Sequence, residues 1–410
     1  MTKKVLALGF GLGLFAVFSF LAIAQEQATN SEQWWQKLSI HAQAEAILQG
    51  LYNSDDAIKK QREIGLSTTT GEGDILDATY SSELKLTAEF LPEIKAHWVL
   101  ELGEGRGVDQ LLTQTAFFNY DAYNTSQNLS TDELYLEARS RYVSFLFGKI
   151  DWVNQFDTNL VAGNEVSQFL SRAFVVNSTI FGPSGYLNRN QANNQNTLAM
   201  ILIFKPSENL SAKYGVFEND GDLNKIDGKD MVHFGAIEAS WAIDNNPGNL
   251  RFYYVENDGF KNEFPDNQLV RKTIASSGVN ADQAIGSARI FFRYGEVING
   301  NAGEFYSPYV PNMPVPDWHF SGGFNFSDLP LGGTIAIAYG FNHLPAEWQD
   351  RIENMGQDPA KGENVAELYY RMELNQILSI TPDVIYIQCP AGVKNAEAVF
   401  AYGLRTVLEF

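Results

Sequence analysis

Apolar and polar side chains alternate with a period of two along most of this chain. Ile40, Ala42, Ala44, Ala46 and Leu48 share one face, opposite Ser39, His41, Gln43, Glu45 and Gln49. Leu84, Leu86, Ala88 and Phe90 oppose Glu83, Lys85, Thr87 and Glu89, and Ile94, Ala96, Trp98, Leu100 and Leu102 oppose Lys95, His97 and Glu101. Leu134, Leu136 and Ala138 face away from Tyr135, Glu137 and Arg139, as Leu368, Tyr370, Met372 and Leu374 do from Glu367, Tyr369, Arg371, Glu373 and Asn375. A strand sends successive side chains to opposite faces, so this period predicts strands with one apolar and one polar surface. Fifteen candidates emerge, near 38–49, 81–90, 94–103, 132–139, 142–150, 197–205, 210–218, 231–243, 249–256, 287–295, 317–326, 333–341, 366–375, 381–388 and 398–410. No comparable amphipathic helix pattern appears.

Two-faced strands suit a sandwich as well as a barrel, and the connections help to separate them. Leu91-Pro92-Glu93, Ser140-Arg141 and Pro206-Ser207-Glu208 are short turns, whereas 50–80, 104–131, 151–196 and 342–365 are long links. Short turns alternating with long links match a transmembrane antiparallel β-barrel with periplasmic turns and extracellular loops. Links of that length are uncommon inside a compact soluble domain. A bacterial barrel has an even strand count with both termini on the periplasmic side. Counted forward, 249–256 runs outward; counted back from Phe410, so does 287–295. An inward strand must therefore lie within 257–286, and we place it around Asn267 to Ser276, making sixteen.

The amino terminus reads as an export signal. Lys3 and Lys4 precede an apolar run from Val5 to Ile23, and Ala22-Ile23-Ala24 is a small-x-small cleavage site before Gln25. That order is the secretory one. The expected organisation is a signal peptide over 1–24, a short periplasmic segment over 25–37 and an outer-membrane barrel over 38–410. Downstream, the longest aliphatic run, Leu198 to Phe204, is a strand's length and far below the ~18 residues of a spanning helix.

Composition removes several functions. Lys and Arg number 29 against 49 Asp and Glu, a net charge of −20 that becomes −22 without Lys3 and Lys4. Such a surface repels a phosphate backbone and argues against nucleic-acid binding. The lone Cys389 admits no intrachain disulfide. It joins no ligand pattern with the scattered His41, His97, His233, His319 and His343, so no metal or other cofactor is expected. Asp220-Gly221-Asp222-Leu223-Asn224 starts like a calcium loop, but Lys225 and Met231 stand where it needs glycine and a bidentate acid. Gly103-Glu104-Gly105-Arg106-Gly107 lacks the strand-to-helix context of a phosphate cradle, and no Gly-x-Ser-x-Gly elbow occurs, so no enzyme is expected.

Several segments resemble the carbohydrate-selective porins of bacterial outer membranes. In family order come Glu367-Leu368-Tyr369-Tyr370-Arg371, Leu378-Ser379-Ile380-Thr381-Pro382-Asp383, Tyr386-Ile387-Gln388, Pro390-Ala391-Gly392, Gly403-Leu404-Arg405 and the final Phe410. Phe147-Gly148-Lys149-Ile150-Asp151, Phe156-Asp157-Thr158-Asn159 and Ser167-Gln168-Phe169-Leu170 form a second match, and Phe292-Arg293-Tyr294-Gly295 a third. The resemblance covers most of the chain beyond the leader and implies a sixteen-stranded pore for passive sugar diffusion. Pro382-Asp383-Val384-Ile385-Tyr386 and Asp328-Leu329-Pro330-Leu331-Gly332 depart from the family pattern, which bears on sugar preference more than on fold.

A sugar pore needs polar groups to replace hydration, flat rings to stack on, and binding weak enough to release. Alternation offers Glu89, Glu101, Glu137, Arg139, Arg289, Arg293, Arg371, Glu373, Arg405 and Glu409 as lumen-facing charges, with Tyr135 and Tyr369 as stacking surfaces. The bland alternative for each charge is pairing across strands or hydrating the wall. In sixteen-stranded porins the link after the fifth strand commonly folds inward. By that likeness Asp151, Asp157, Asn159, Glu165 and Arg172 would line a constriction, anchored by Trp152, Phe156, Phe169 and Phe174; an outward loop stays open as the alternative. The expected partners are small neutral carbohydrates, outer-membrane lipid and the barrel-assembly machinery, with monomer and homotrimer both open. A general or otherwise selective diffusion porin and a structural barrel without an open channel are the competing readings.

Overall fold

The computed structural model describes residues 37–66, 75–105, 107–120, 129–183, 196–219, 231–258, 260–263, 268–304 and 313–410. The export signal, nearly all of the 25–37 segment and the 220–224 turn lie outside these residues.

Sixteen antiparallel strands close into one barrel. They are β1 (Leu38–Tyr52), β2 (Ile75–Leu91), β3 (Ile94–Glu104), β4 (Ser130–Arg139), β5 (Val143–Ile150), β6 (Thr197–Ser207), β7 (Leu210–Glu218), β8 (Met231–Ile243) and β9 (Asn246–Asn257). After a separate hairpin, β10 (Phe260–Glu263) with β11 (Gln268–Arg271), follow β12 (Ile274–Ile285), β13 (Ala288–Asn299), β14 (Trp318–Leu329), β15 (Gly333–His343), β16 (Gly362–Glu373), β17 (Leu378–Gln388) and β18 (Val399–Glu409). Each strand pairs with its sequence neighbour in the barrel, and β1 closes on β18 through Glu45 opposite Val407 and Leu48 opposite Leu404. Two further backbone bonds between Ala42 and Phe410, at 3.1 and 2.8 Å, carry the seam to the last residue. Closure removes the unpaired edge that an open sheet would present to lipid.

The faces are inverted relative to a soluble protein, as the hydrocarbon of a membrane requires. Leu134, Leu136, Phe145, Phe147, Met200, Leu202, Phe204, Leu368 and Leu404 turn outward and are exposed, while Glu45, Glu363, Glu367, Arg293 and Arg405 turn inward and are buried. Among the described residues no helix is long and apolar enough to cross a membrane.

The sixteenth strand is β12, Ile274–Ile285, several residues later than the expected Asn267 to Ser276, a window that falls on β11 and the start of β12. Of its outward positions, Ser277, Val279, Ala281, Gln283 and Ile285, two are polar and one is alanine, so the apolar stripe that marks the other strands is broken. They pair with the bulky outward Tyr254 and Phe252 of β9 and Phe292 and Ile290 of β13. The neighbours thus supply the apolar surface that β12 lacks.

Two long links turn back against the polar face of the sheet. The first, after β3, buries Val108, Leu112, Phe117 and Phe118. The second, after β5, carries the short helices α1 (Val153–Phe156) and α2 (Arg172–Val175). Trp152 stacks on Phe234 of β8 with centroids 5.2 Å apart, and Phe156 packs on the same ring at 5.0 Å. Phe169 meets the ring of Tyr369 at 5.1 Å and that of Phe291 at 5.7 Å. All these rings are buried. Each such side chain removed from water stabilises the packed arrangement by about 1.5–3 kcal/mol.

Candidate functional site: the inner wall and the segment packed on it

The segment that follows β5 is tied to the wall by charged groups as well as by rings. Arg293 of β13 donates from Nε to Asp157 Oδ1 at 3.1 Å, from Nη2 to the Asp157 carbonyl at 2.9 Å and from Nη1 to the Ala162 carbonyl at 2.7 Å, and it also reaches the Phe174 carbonyl. Asp157 further accepts from Asn177 N–H at 2.8 Å and from Asn280 Nδ2 at 2.7 Å, and Asn159 donates to Asn280 Oδ1 at 2.7 Å. One guanidinium therefore gathers both ends of the stretch from Asp157 to Phe174. A buried charge with one such set of partners is strongly committed, since either group alone would be uncompensated.

Three inward carboxylates grip backbone N–H groups. Glu367 of β16 accepts from Leu170 at 2.7 Å and Ser171 at 2.9 Å. Glu363 accepts from Thr115 and Ala116 N–H at 3.0 and 2.9 Å, and from Ala391 N–H at 3.0 Å. In the link after β3, Asp109 accepts from Phe118 and Asn119 at 2.7 and 2.8 Å. Burial pushes the Asp109 carboxyl up to about 7, against the pull of those donors and of Gln114. Arg405 of β18 donates to the carbonyls of Glu165 and of Gln168, the latter at 2.7 Å, and lies 3.9 Å from Glu45.

These contacts sort the residues singled out by alternation. Arg293, Arg405, Tyr369, Asp157, Asn159 and Arg172 are enclosed, none more than 7% exposed. Tyr369, read from alternation as a stacking face, is already covered by Phe169 and by the Arg405 guanidinium 5.8 Å from its centroid. The four anchoring rings, Trp152, Phe156, Phe169 and Phe174, are all buried. Arg371 sits 3.8 Å from both Glu373 and Glu409, and exposed Arg289 lies on the inward parity of β13 near a short turn.

Most of the remaining residues lie along β2, β3 and β4 and around the start of the segment after β5. Tyr135 stacks on His97 with centroids 4.6 Å apart, His97 Nε2 lies 3.3 Å from Glu137 Oε2, and Arg139 pairs with Glu137 at 2.6 Å. Lys95 pairs with Glu89 at 3.0 Å. Along the same strands lies a cavity of about 140 Å³, lined by Glu101, Asp151 and Glu165 and also by Glu83, Lys85, Asp132 and Glu133. Burial and the neighbouring Glu133 and Asp132 hold the Asp151 carboxyl well above the usual range, opposed by the Val153 N–H that it accepts at 2.9 Å.

Asp132 and Glu133 were not among the sequence candidates. They are consecutive, so simple alternation would turn one outward. A register shift between Val99 and Leu100 of β3 interrupts the ladder opposite them, and bulges of this kind re-aim side chains. A second group on the inner wall also escaped the sequence reading: Lys213–Glu238 at 3.2 Å, Arg251–Glu238 at 3.0 Å and Arg251–Asp282 at 2.9 Å link β7, β8, β9 and β12. Alternation places each inward, but their mutual pairing depends on register. Among the described residues no group of His, Cys, Asp or Glu is arranged to hold a metal ion.

The architecture has solved counterparts. Over 92% of this chain and 94% of the other, it superposes on the high-pH structure of Pseudomonas putida OprB with a TM-score of 0.70 at 14% identity. The outer-membrane channel DcaP of Acinetobacter baumannii matches over 91% and 97% with a TM-score of 0.55 at 12% identity. A loop-deletion form of the outer-membrane protein OmpT of Vibrio cholerae matches over 91% and 99%, at 0.51 and 11%. At these identities the likeness is one of fold. None of the curated proteins matches the sequence. The profile of the carbohydrate-selective porin, OprB family, matches residues 72–410. A closed sixteen-stranded barrel with lipid-facing apolar residues and a match over most of its length make this chain a member of the carbohydrate-selective porin family, in the outer membrane.

Proposed function

We propose that the protein is a passive, water-filled pore for small sugars, narrowed by the segment over 151–181 that folds against the inner wall. What carries the reading is the Arg293 latch, with the Glu367 and Arg405 contacts beside it. Together they hold that segment against the inward faces of β13, β16 and β18. The path for solute then follows β1–β4, past the acidic cavity and the Tyr135–His97 pair. Rings and charged groups side by side suit a solute with apolar faces and many hydroxyls.

Single-channel conductance in a planar bilayer, titrated with glucose and with maltooligosaccharides, tests this. Saturable closure by sugar supports a selective pore with a binding site. Steady current indifferent to sugar would leave a general porin, and no current would leave a structural barrel.

A further inference from the structure

We propose that the acidic chamber beside β1–β4 is a subsite for a cationic sugar, a hexosamine in its ammonium form. The inference rests on the sugar-pore reading and deepens it. Six carboxyl groups line the chamber, from Glu83, Glu101, Asp132, Glu133, Asp151 and Glu165, and Lys85 is the one cation among its lining residues. Lys85 is taken by Glu83 at 2.6 Å. Among the described residues Asp132, Glu133 and Asp151 have no basic group within ion-pair distance; Lys85 and Lys149 reach them only at longer range. Crowded carboxyl groups in a partly enclosed site disfavour one another's ionisation, and a cation entering among them favours the ionised form and is held by it.

A second feature points to a hydroxylated ligand. Ser81 lines the same chamber on the inward face of β2, is 7% exposed, and its hydroxyl has no hydrogen-bond partner among the described residues. That hydroxyl opens onto the chamber and can donate to or accept from a ligand there. The carboxylates are not grouped to chelate a metal, so the positive charge has to be one met by several acids at moderate distance. An ammonium group meets that requirement, as Lys85 Nζ against Glu83 shows within the chain itself. A sugar ring bearing it brings hydroxyls for Ser81.

The test is current block in a planar bilayer by glucosamine, glucose and N-acetylglucosamine, with Mg²⁺ as a fourth arm, on the full chain at neutral pH. Glucosamine should half-block at a concentration about three- to tenfold below glucose, the scale of a partly screened ion pair. The neutral N-acetyl form should show no such advantage, a comparison that needs no variant. Asp151→Asn and Glu133→Gln should each bring glucosamine up toward glucose. Equal block by glucosamine and its N-acetyl form, in a pore that glucose still blocks, overturns the inference and leaves the sugar-pore reading standing. Block by Mg²⁺ with no preference among the sugars also overturns it, in favour of an inorganic cation. A conducting pore that no sugar blocks would sink the sugar-pore reading itself.

Discussion

Arg293 and Asp157 face each other at 3.1 Å with neither side chain exposed to solvent. One belongs to the barrel wall and the other to the segment packed on it, so this contact joins the part of the molecule that spans the membrane to the part proposed to set its bore. Removing one partner of a buried pair strands the other charge, at a cost of about 3–5 kcal/mol. Arg293→Met should therefore free the 157–174 stretch while the sixteen-stranded ladder still closes. Single-channel recording should show larger and noisier conductance than in the parent. Unchanged conductance would mean that the segment does not limit the pore.

Glu367 holds two adjacent backbone N–H groups, those of Leu170 and Ser171. In Glu367→Ala both donors lose their acceptor, with a penalty of about 1–3 kcal/mol each if they stay buried. The expected outcome is new protease cleavage within 160–171 in the assembled barrel. Glu367→Gln retains one acceptor oxygen and should be cut more slowly.

The link after β3 should lose protection as pH rises. The folded-state pKa of Asp109 is raised from 3.8 to about 7 by burial. The folded form therefore binds more protons than the unfolded form between those values, and stability falls with increasing pH across that window. Protection factors of the Phe118 and Asn119 amides, with the base-catalysed intrinsic rate divided out, should fall between pH 4 and 7. Asp109→Asn should flatten the dependence, and a slope that persists in that variant would assign it elsewhere.

Tyr135 carries the stacking role in the proposed path, with one face against His97 at 4.6 Å. Tyr135→Ala should raise the half-blocking sugar concentration by about three- to tenfold, the scale of one ring contact. Tyr369→Ala should act through the packing of Phe169 instead, lowering the thermal stability of the barrel.

Gly148 on β5 adopts φ +145 opposite Tyr135, with the Leu134 carbonyl where a Cβ would sit. Gly148→Ala combines backbone strain of about 1–3 kcal/mol with a clash in the ladder. Heat-modifiable migration on gels, which reports a closed barrel, should diminish. Normal assembly of that variant would show that β4 and β5 can shift to absorb the methyl group.

What the sequence determined by itself was the membrane-spanning sheet. Leu84, Leu86 and Ala88 against Glu83, Lys85 and Thr87 state a strand's two faces directly, because the period of two is local and needs no partner. Parity demanded a sixteenth strand even where Ser277, Ala281 and Gln283 hid it, since closure with both termini on one side is a property of the count. Which inward residues meet solute was not legible. Arg293, Tyr369 and Arg405 share the parity of Tyr135 and Glu137, yet the first three are buried beneath the 151–181 segment and the last two are not. That difference arises from contacts more than a hundred residues apart, such as Asp157 with Arg293 and Leu170 with Glu367. The pairing of Asp132 with Glu133 at the cavity likewise follows from a register shift in β3 opposite them. Only the tertiary structure decides these, because coverage and register are set by what a strand packs against, and alternation records only which way a side chain turns.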